Sequence, residues 1–239
     1  MKTLLETAVE AHGGLQRWKQ FKMLNAHASI GGGIWALKGK PEVFSDTHID
    51  VDLRRQHVEY SPFGEAGQHS VYEPTGTAIV KDDGRVVEKR DFPRTAFGGH
   101  HLMTPWDDHH LIYFSGYAIW TYLTTPFLFT EPGFESEELE PWLENGQEWR
   151  RLKVVFPANV ASHCEEQTFY FDSKGLLRRH DYSVDVIGGS SSANYATDHK
   201  DFGGIVFPTK RRVYARGPDN RPLLDRVAVA IDLHDIKVA

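Results

Sequence analysis

Only one cysteine, Cys164, occurs in the 239 residues, so no intrachain disulfide can form and a Cys₄ zinc site is excluded. Cationic surplus is missing too: 27 Lys and Arg stand against 33 Asp and Glu, a net charge of −6. That balance supplies no broad positive field for nucleic acid or anionic lipid, so nucleic acid is not an expected partner. No apolar run approaches the roughly 18 residues needed to cross a bilayer as a helix. The most apolar stretch, Leu111 to Leu128, is interrupted by Thr121, Thr124, Thr125 and Pro126. The first ten residues carry Glu6 and Glu10 and so lack the apolar centre of a secretory leader, which predicts a cytoplasmic protein. Several catalytic signatures are absent as well. No Gly-x-Ser-x-Gly elbow and no His-Glu-x-x-His pair occur, and Gly33 to Lys40 is one residue too long for a phosphate-binding loop and runs into Pro41. No organic cofactor is implied.

Aromatic residues are what the chain has in quantity: 6 Trp, 9 Tyr and 14 Phe, enough to exclude disorder. Residues 2–12 place Leu4, Leu5, Ala8, Val9 and His12 at helical spacing, and Gly13-Gly14 stops the helix. A second short turn is predicted over 15–21. From Leu24 the apolar period becomes two. Val43 to Leu53 alternates as one half-buried strand, with shorter strands at 56–60, 69–72, 77–81 and 85–90 and a hairpin turn at Asp82-Asp83-Gly84. Thr104-Pro105-Trp106-Asp107-Asp108 signals a helix start with Thr104 as cap, and the helix should end near Leu123. Residues 126–146 read as a Pro- and Glu-rich loop, with a helical turn over 137–143 and its acids forming a solvated lid edge. Strands then resume at 148–156, 165–172, 176–187, 195–199, 205–214 and 226–238. Strands on both sides of one central helix predict an α+β fold: one domain spanning 1–239, with a strongly curved antiparallel sheet wrapping the helix.

Two constellations stand out as candidate site residues. On the central helix Trp106, His110, Tyr113, Tyr117 and Trp120 recur at i, i+4, i+7, i+11 and i+14 and share a stripe, which serves either as core packing or as the wall of a ligand cavity. On the strand 176–187, alternation puts Leu176, Arg178, His180, Tyr182, Val184 and Val186 on the inward face. There Arg178, His180 and Tyr182 either orient a polar ligand group or lie solvated at a sheet rim. The doublets His100-His101 and His109-His110 raise the question of a metal, but adjacent residues point apart and no ligand spacing recurs, so none is predicted. Cys164 and His163 are likewise neighbours facing opposite ways, which discounts a thiol enzyme.

Ala11-His12-Gly13-Gly14-Leu15-Gln16-Arg17-Trp18 at the start is similar to the opening of proteins related to the LolA-like bacterial lipoprotein carriers. The ending, Gly203-Gly204-Ile205-Val206-Phe207-Pro208-Thr209-Lys210-Arg211-Arg212-Val213-Tyr214 with a final alternating strand, resembles their C-terminal hairpin. The resemblance implies a half-open β-barrel whose concave side holds helices and an apolar cavity for acyl chains or other greasy ligands. A lipobox cysteine near the start is missing, so transport of lipoproteins does not carry over. The expected function is binding of a hydrophobic small molecule or lipid in that cavity, with the helix stripe, Arg178, His180 and Tyr182 around it. The alternative is an isomerase, cyclase or hydrolase without organic cofactor, in which His180 transfers the proton.

Overall fold

In the computed structural model, which describes residues 2–239, thirteen antiparallel strands form one sheet. The N-terminal meander runs β1 (Met23–Gly31), β2 (Thr47–Asp52), β3 (His57–Ser61), β4 (Gln68–Glu73), β5 (Gly76–Lys81) and β6 (Val86–Asp91). The C-terminal one runs β7 (Glu135–Glu144), β8 (Gln147–Val155), β9 (Glu166–Phe171), β10 (Leu177–Val184), β11 (Ser190–Phe202), β12 (Ile205–Ala215) and β13 (Val229–Val238). Pairing of β1 with β13 joins the two meanders at the centre, which leaves β6 and β7 as free edges. The chain between those edges carries the central helix, so the sheet does not close and the helix occupies its concave side. This is the half-open barrel that the resemblance implies.

Short helices α1 (Leu4–Ala11), α2 (Leu15–Trp18) and α3 (Gly33–Leu37) precede the central helix α4 (Asp108–Thr124). α1 begins with a capping box, in which Thr3 accepts from Glu6 N and Glu6 accepts from Thr3 N. The Gly31–Gly33 stretch turns into α3, with Gly32 at φ +115° against the Ala228 carbonyl. Every residue of α4 from His109 to Thr124 is buried, because β3, β4 and β5 pack on one side and the C-terminal meander and loops cover the rest.

Gly116 permits the close approach of α4 to the sheet. A Cβ there would stand 2.2 Å from Cγ of Tyr72 on β4, and Tyr72 is itself fully buried. Alanine improves helix propensity by about 1 kcal/mol, yet a contact this short must push the helix off the sheet. Gly116→Ala is therefore expected to lower the unfolding free energy by about 1–3 kcal/mol in a urea titration; a neutral or stabilising result would show that α4 slides freely.

Four expectations need correction. The strand predicted over 43–53 begins only at Thr47, because Phe44 leaves the ladder to enter the core and its carbonyl accepts from Ile30 N. Helix α4 is capped by Asp107, whose side chain accepts from His110 N at 2.9 Å, while Thr104 instead accepts from His101 N. The helical turn predicted at 137–143 is part of edge strand β7, where Glu137 and Glu138 stay exposed and pair with Lys153 and Arg150 of β8. A bulge between Leu177 and Arg179 shifts the alternation of β10, so Leu177, not Leu176, turns inward and Arg178 leaves the inward row. Arg178 lies half-buried, bound to Asp172 at 2.6–2.7 Å.

Candidate functional site: the mouth of the half-barrel and its polar interior

The loop 157–162, between β8 and β9, crosses the open side of the sheet and is tied to the opposite meander. Gln56 donates to the Ala161 carbonyl and accepts from Ala161 N, both at 2.8 Å, and Arg94 donates to the Ser162 carbonyl at 3.1 Å. On either side of this strap α4 is reached by a groove. The larger, about 610 Å³, is lined by Phe92, Arg94, Tyr113, Phe156, Val160 and Asp185. The smaller, about 360 Å³, is lined by Trp18, Arg54, Trp120, Thr124, Leu128 and Phe134. Pro74, Asn159 and Val160 border both.

The helix stripe is divided between these grooves and the core. Tyr113 floors the larger groove and Trp120 the smaller, where the indole also donates to the Asp52 carbonyl at 2.9 Å. Tyr117 lies between them, fully buried, with its hydroxyl 3.2 Å from His163 Nδ1. Trp106 and His110 belong to a separate aromatic cluster at the start of α4, around Phe97. Beside it the buried Lys38 ammonium donates to the carbonyls of His101, Leu102 and Thr104 and lies 4.7 Å from the Trp106 ring. The histidine doublets meet through His100 and His110, whose rings pack at 4.7 Å, but their nitrogens are engaged separately: His109 bonds to Thr77, His110 to the Ala96 carbonyl, and His101 Nδ1 accepts from Met103 N. Among the described residues no three His, Cys, Asp or Glu side chains converge as a ligand set. Burial pushes the Cys164 thiol up to about 11, which keeps it protonated.

Inside the barrel the greasy core contains a connected polar seam. His163 Nε2 is 2.9 Å from the Tyr122 hydroxyl, which is 2.8 Å from that of Tyr182, and the His163 and Tyr182 rings stack at 3.9 Å. His180 stacks on Phe169 at 4.0 Å, and its Nε2 lies 2.6 Å from Gln167 Oε1. Burial pulls His163 down to about 3 and His180 well below its ordinary value, so both rings stay neutral at physiological pH. A fully buried ring already committed to an amide has little capacity to shuttle protons, and the geometry gives no support to His180 as an acid or base. Between α4 and the sheet, the space lined by Ile30, Ala118, Ile119, Tyr122, Tyr182 and Ile231 amounts to only about 30 Å³. This space is no larger than one small group; the two grooves that reach α4 lie at the mouth, and a further hollow of about 720 Å³ lies away from it along β1, β2 and β13.

Three buried polar residues of this interior escape a motif search. His163 enters from a loop, Asn194 from the inward face of β11, and Arg211 from that of β12. The signal for Arg211 was present: it occupies the period-two row Ile205, Phe207, Thr209, Arg211, Val213, all buried.

With fold and geometry in view, the chain can be set beside solved structures of similar fold. Its fold matches that of a LolA superfamily protein from Nitrosomonas europaea with a TM-score of 0.53 at 11% identity, covering 99% of this chain and 92% of that one. It is similar to a DUF1329 family protein from Desulfovibrio piger with a TM-score of 0.52 at 12% identity, covering 98% and 91%. At such identities the likeness is one of fold. No protein-family model and no curated protein matches the sequence. Among the described residues no helix is long and apolar enough to cross a membrane.

Proposed function

We propose that this protein binds a hydrophobic small molecule or lipid at the mouth of its half-barrel, in the groove floored by Tyr113. The observation that carries this reading is a groove of about 610 Å³ with aromatic floor and walls, within the range of roughly 300–1,000 Å³ typical of small-molecule sites. Phe92, 65% exposed at its rim, presents apolar surface that a ligand would cover. Burial of apolar ligand area at about 25 cal/mol per Å² supplies the affinity, and the Tyr113 hydroxyl and Arg94 guanidinium supply polar selection. The half-barrel class, whose resemblance to this chain implies greasy ligands, points the same way.

Titration with Nile red, displaced by hexadecanol, tests the reading. Saturable binding is expected, and Val160→Glu, which sets a charge where both grooves meet, should weaken it at least tenfold without loss of folding. Absence of saturable binding, or a Val160→Glu variant that binds as the parent does, would overturn it.

A further inference from the structure

Arg211 is a buried cation without a counter-ion. Its side chain rises from the concave face of β12 between α1 and the end of α4 and is 2% exposed. One of its nitrogens, Nη2, donates to the Tyr122 carbonyl at 3.0 Å, and its guanidinium carbon lies 4.7 Å from the Tyr122 ring centroid. The other terminal nitrogen, Nη1, has no hydrogen-bond partner among the described residues. The titratable groups nearest Arg211 on its own side are the phenols of Tyr122 and Tyr182, which burial keeps protonated and neutral, and it forms no ion pair among the described residues. Burial lowers the guanidinium to about 10, which still leaves it charged at neutral pH.

Its surroundings do not neutralise that charge. The end of α4 offers the equivalent of about half a negative charge. His12, His180 and His199 are the nearby titratable rings, and burial keeps each of them neutral. On the same face of the sheet, one residue pair along, stands Asn194. It is wholly buried, neither its amide nitrogen nor its amide oxygen has a hydrogen-bond partner within 3.5 Å among the described residues, and the polar group it faces is the Tyr122 hydroxyl. Register places Asn194 directly opposite His180 and diagonal to Arg211. The small space of about 30 Å³ borders the tyrosine pair Tyr122 and Tyr182, the first of which Arg211 covers. A buried water could complete the hydrogen bonds of Nη1 and Asn194. It could not offset the charge, whose burial costs several kcal/mol unless an anion is paired with it.

From this juxtaposition of an unpaired guanidinium and a buried amide without a hydrogen-bond partner, we propose that the half-barrel holds a small monoanionic group, a halide or a carboxylate, against Arg211 Nη1 and Asn194 Nδ2. The site lies on the sheet side of α4, apart from the mouth groove, and does not depend on the lipid-binding reading. Two sources share this chemistry: a free small anion, or the carboxyl head of an amphiphile that inserts between α4 and the sheet.

Thermal unfolding of the full chain at constant ionic strength, with sodium gluconate exchanged stepwise for chloride, acetate or dodecanoate, tests the site. A saturable rise in melting temperature is expected, following the logarithmic dependence of ligand-linked stability on concentration. Response to chloride and acetate identifies a free anion, whereas response to dodecanoate alone identifies a head group. In Arg211→Met, which exchanges the buried charge for an apolar chain, the saturable rise should vanish; if that variant fails to fold, Asn194→Ala should shift the midpoint of the response at least tenfold upward. A parent protein that responds to none of the three anions, or a response unchanged in the variants, refutes the proposal.

Discussion

Acidification from pH 7.5 to 5 is expected to remove on the order of 5 kcal/mol of stability, before any carboxylate is protonated to a significant degree. The cause is four histidines that burial holds below their ordinary value: His12, His163 and His180, each 1% exposed, and the half-buried His199, pulled down to about 4. Burial pulls His12 down to about 4 and His163 to about 3, and holds His180 well below its ordinary value. In the unfolded chain the same rings take up protons near pH 6.5. Between that value and about 4 the unfolded state therefore binds more protons than the native one, and unfolding becomes easier as pH falls, by up to about 1.4 kcal/mol per histidine per pH unit. Domains typically hold only about 5–15 kcal/mol in reserve, so the loss is large. Urea midpoints at pH 7.5, 6 and 5 measure it, and His163→Gln, which keeps a polar group beside Tyr117 and Tyr122 but cannot titrate, should flatten the slope by about a quarter. A midpoint independent of pH would show that these rings are solvated or charged in the native state.

Replacement of Arg179 is expected to be the costliest single change on the opposite face of the sheet. Its guanidinium is 0% exposed and holds Asp181 through two hydrogen bonds of 2.7 and 2.8 Å, Glu144 at 2.7 Å and the Asn220 carbonyl at 2.6 Å. Tyr170 stacks under it at 4.8 Å and also donates to Asp181, and Tyr195 bonds to Glu144. Arg179→Ala leaves Glu144 buried without a cation and Asp181 with only Arg216, 3.8 Å away, which costs about 3–5 kcal/mol. Burial already holds the Asp181 carboxyl above its ordinary value even with Arg179 present. Without that cation it should gain a proton more readily, so the penalty relative to the parent should shrink at pH 5. Paired removal, Arg179→Met with Asp181→Leu, should recover a substantial part of the loss, because the uncompensated charge is what costs most. Equal melting temperatures for parent and Arg179→Ala would mean that the pair is hydrated and contributes nothing.

This cluster also shows where reading by period fails. Alternation assigns Arg179 and Asp181 to the wet face of β10, and they are indeed on the face away from α4. That face is nevertheless dry, because the hairpin end at Glu144 and the segment carrying Asn220 fold over it. Whether a sheet face meets solvent depends on what distant chain covers it, and no local pattern records that. The Arg178 position failed for another reason: one bulge residue reverses the phase of everything N-terminal to it, and a bulge has no obligatory residue type.

Determined by the sequence alone were the antiparallel sheet and the central helix, because period-two and period-3.6 patterns and turn glycines are local properties of the chain, while the half-open arrangement is what the resemblance of the flanking Gly/Trp and Gly-Gly-Ile-Val-Phe-Pro segments implies. The stripe on α4 was legible as a stripe. Only the tertiary structure decided that Tyr113 and Trp120 reach grooves at the mouth while Trp106, His110 and Tyr117 are packed away, and that the space between Ile30, Tyr122, Tyr182 and Ile231 is no larger than one small group. Volume left over between packed layers depends on how all their side chains interdigitate at once, and Arg211 and Asn194 acquire their meaning only from the neighbours that fail to pair with them.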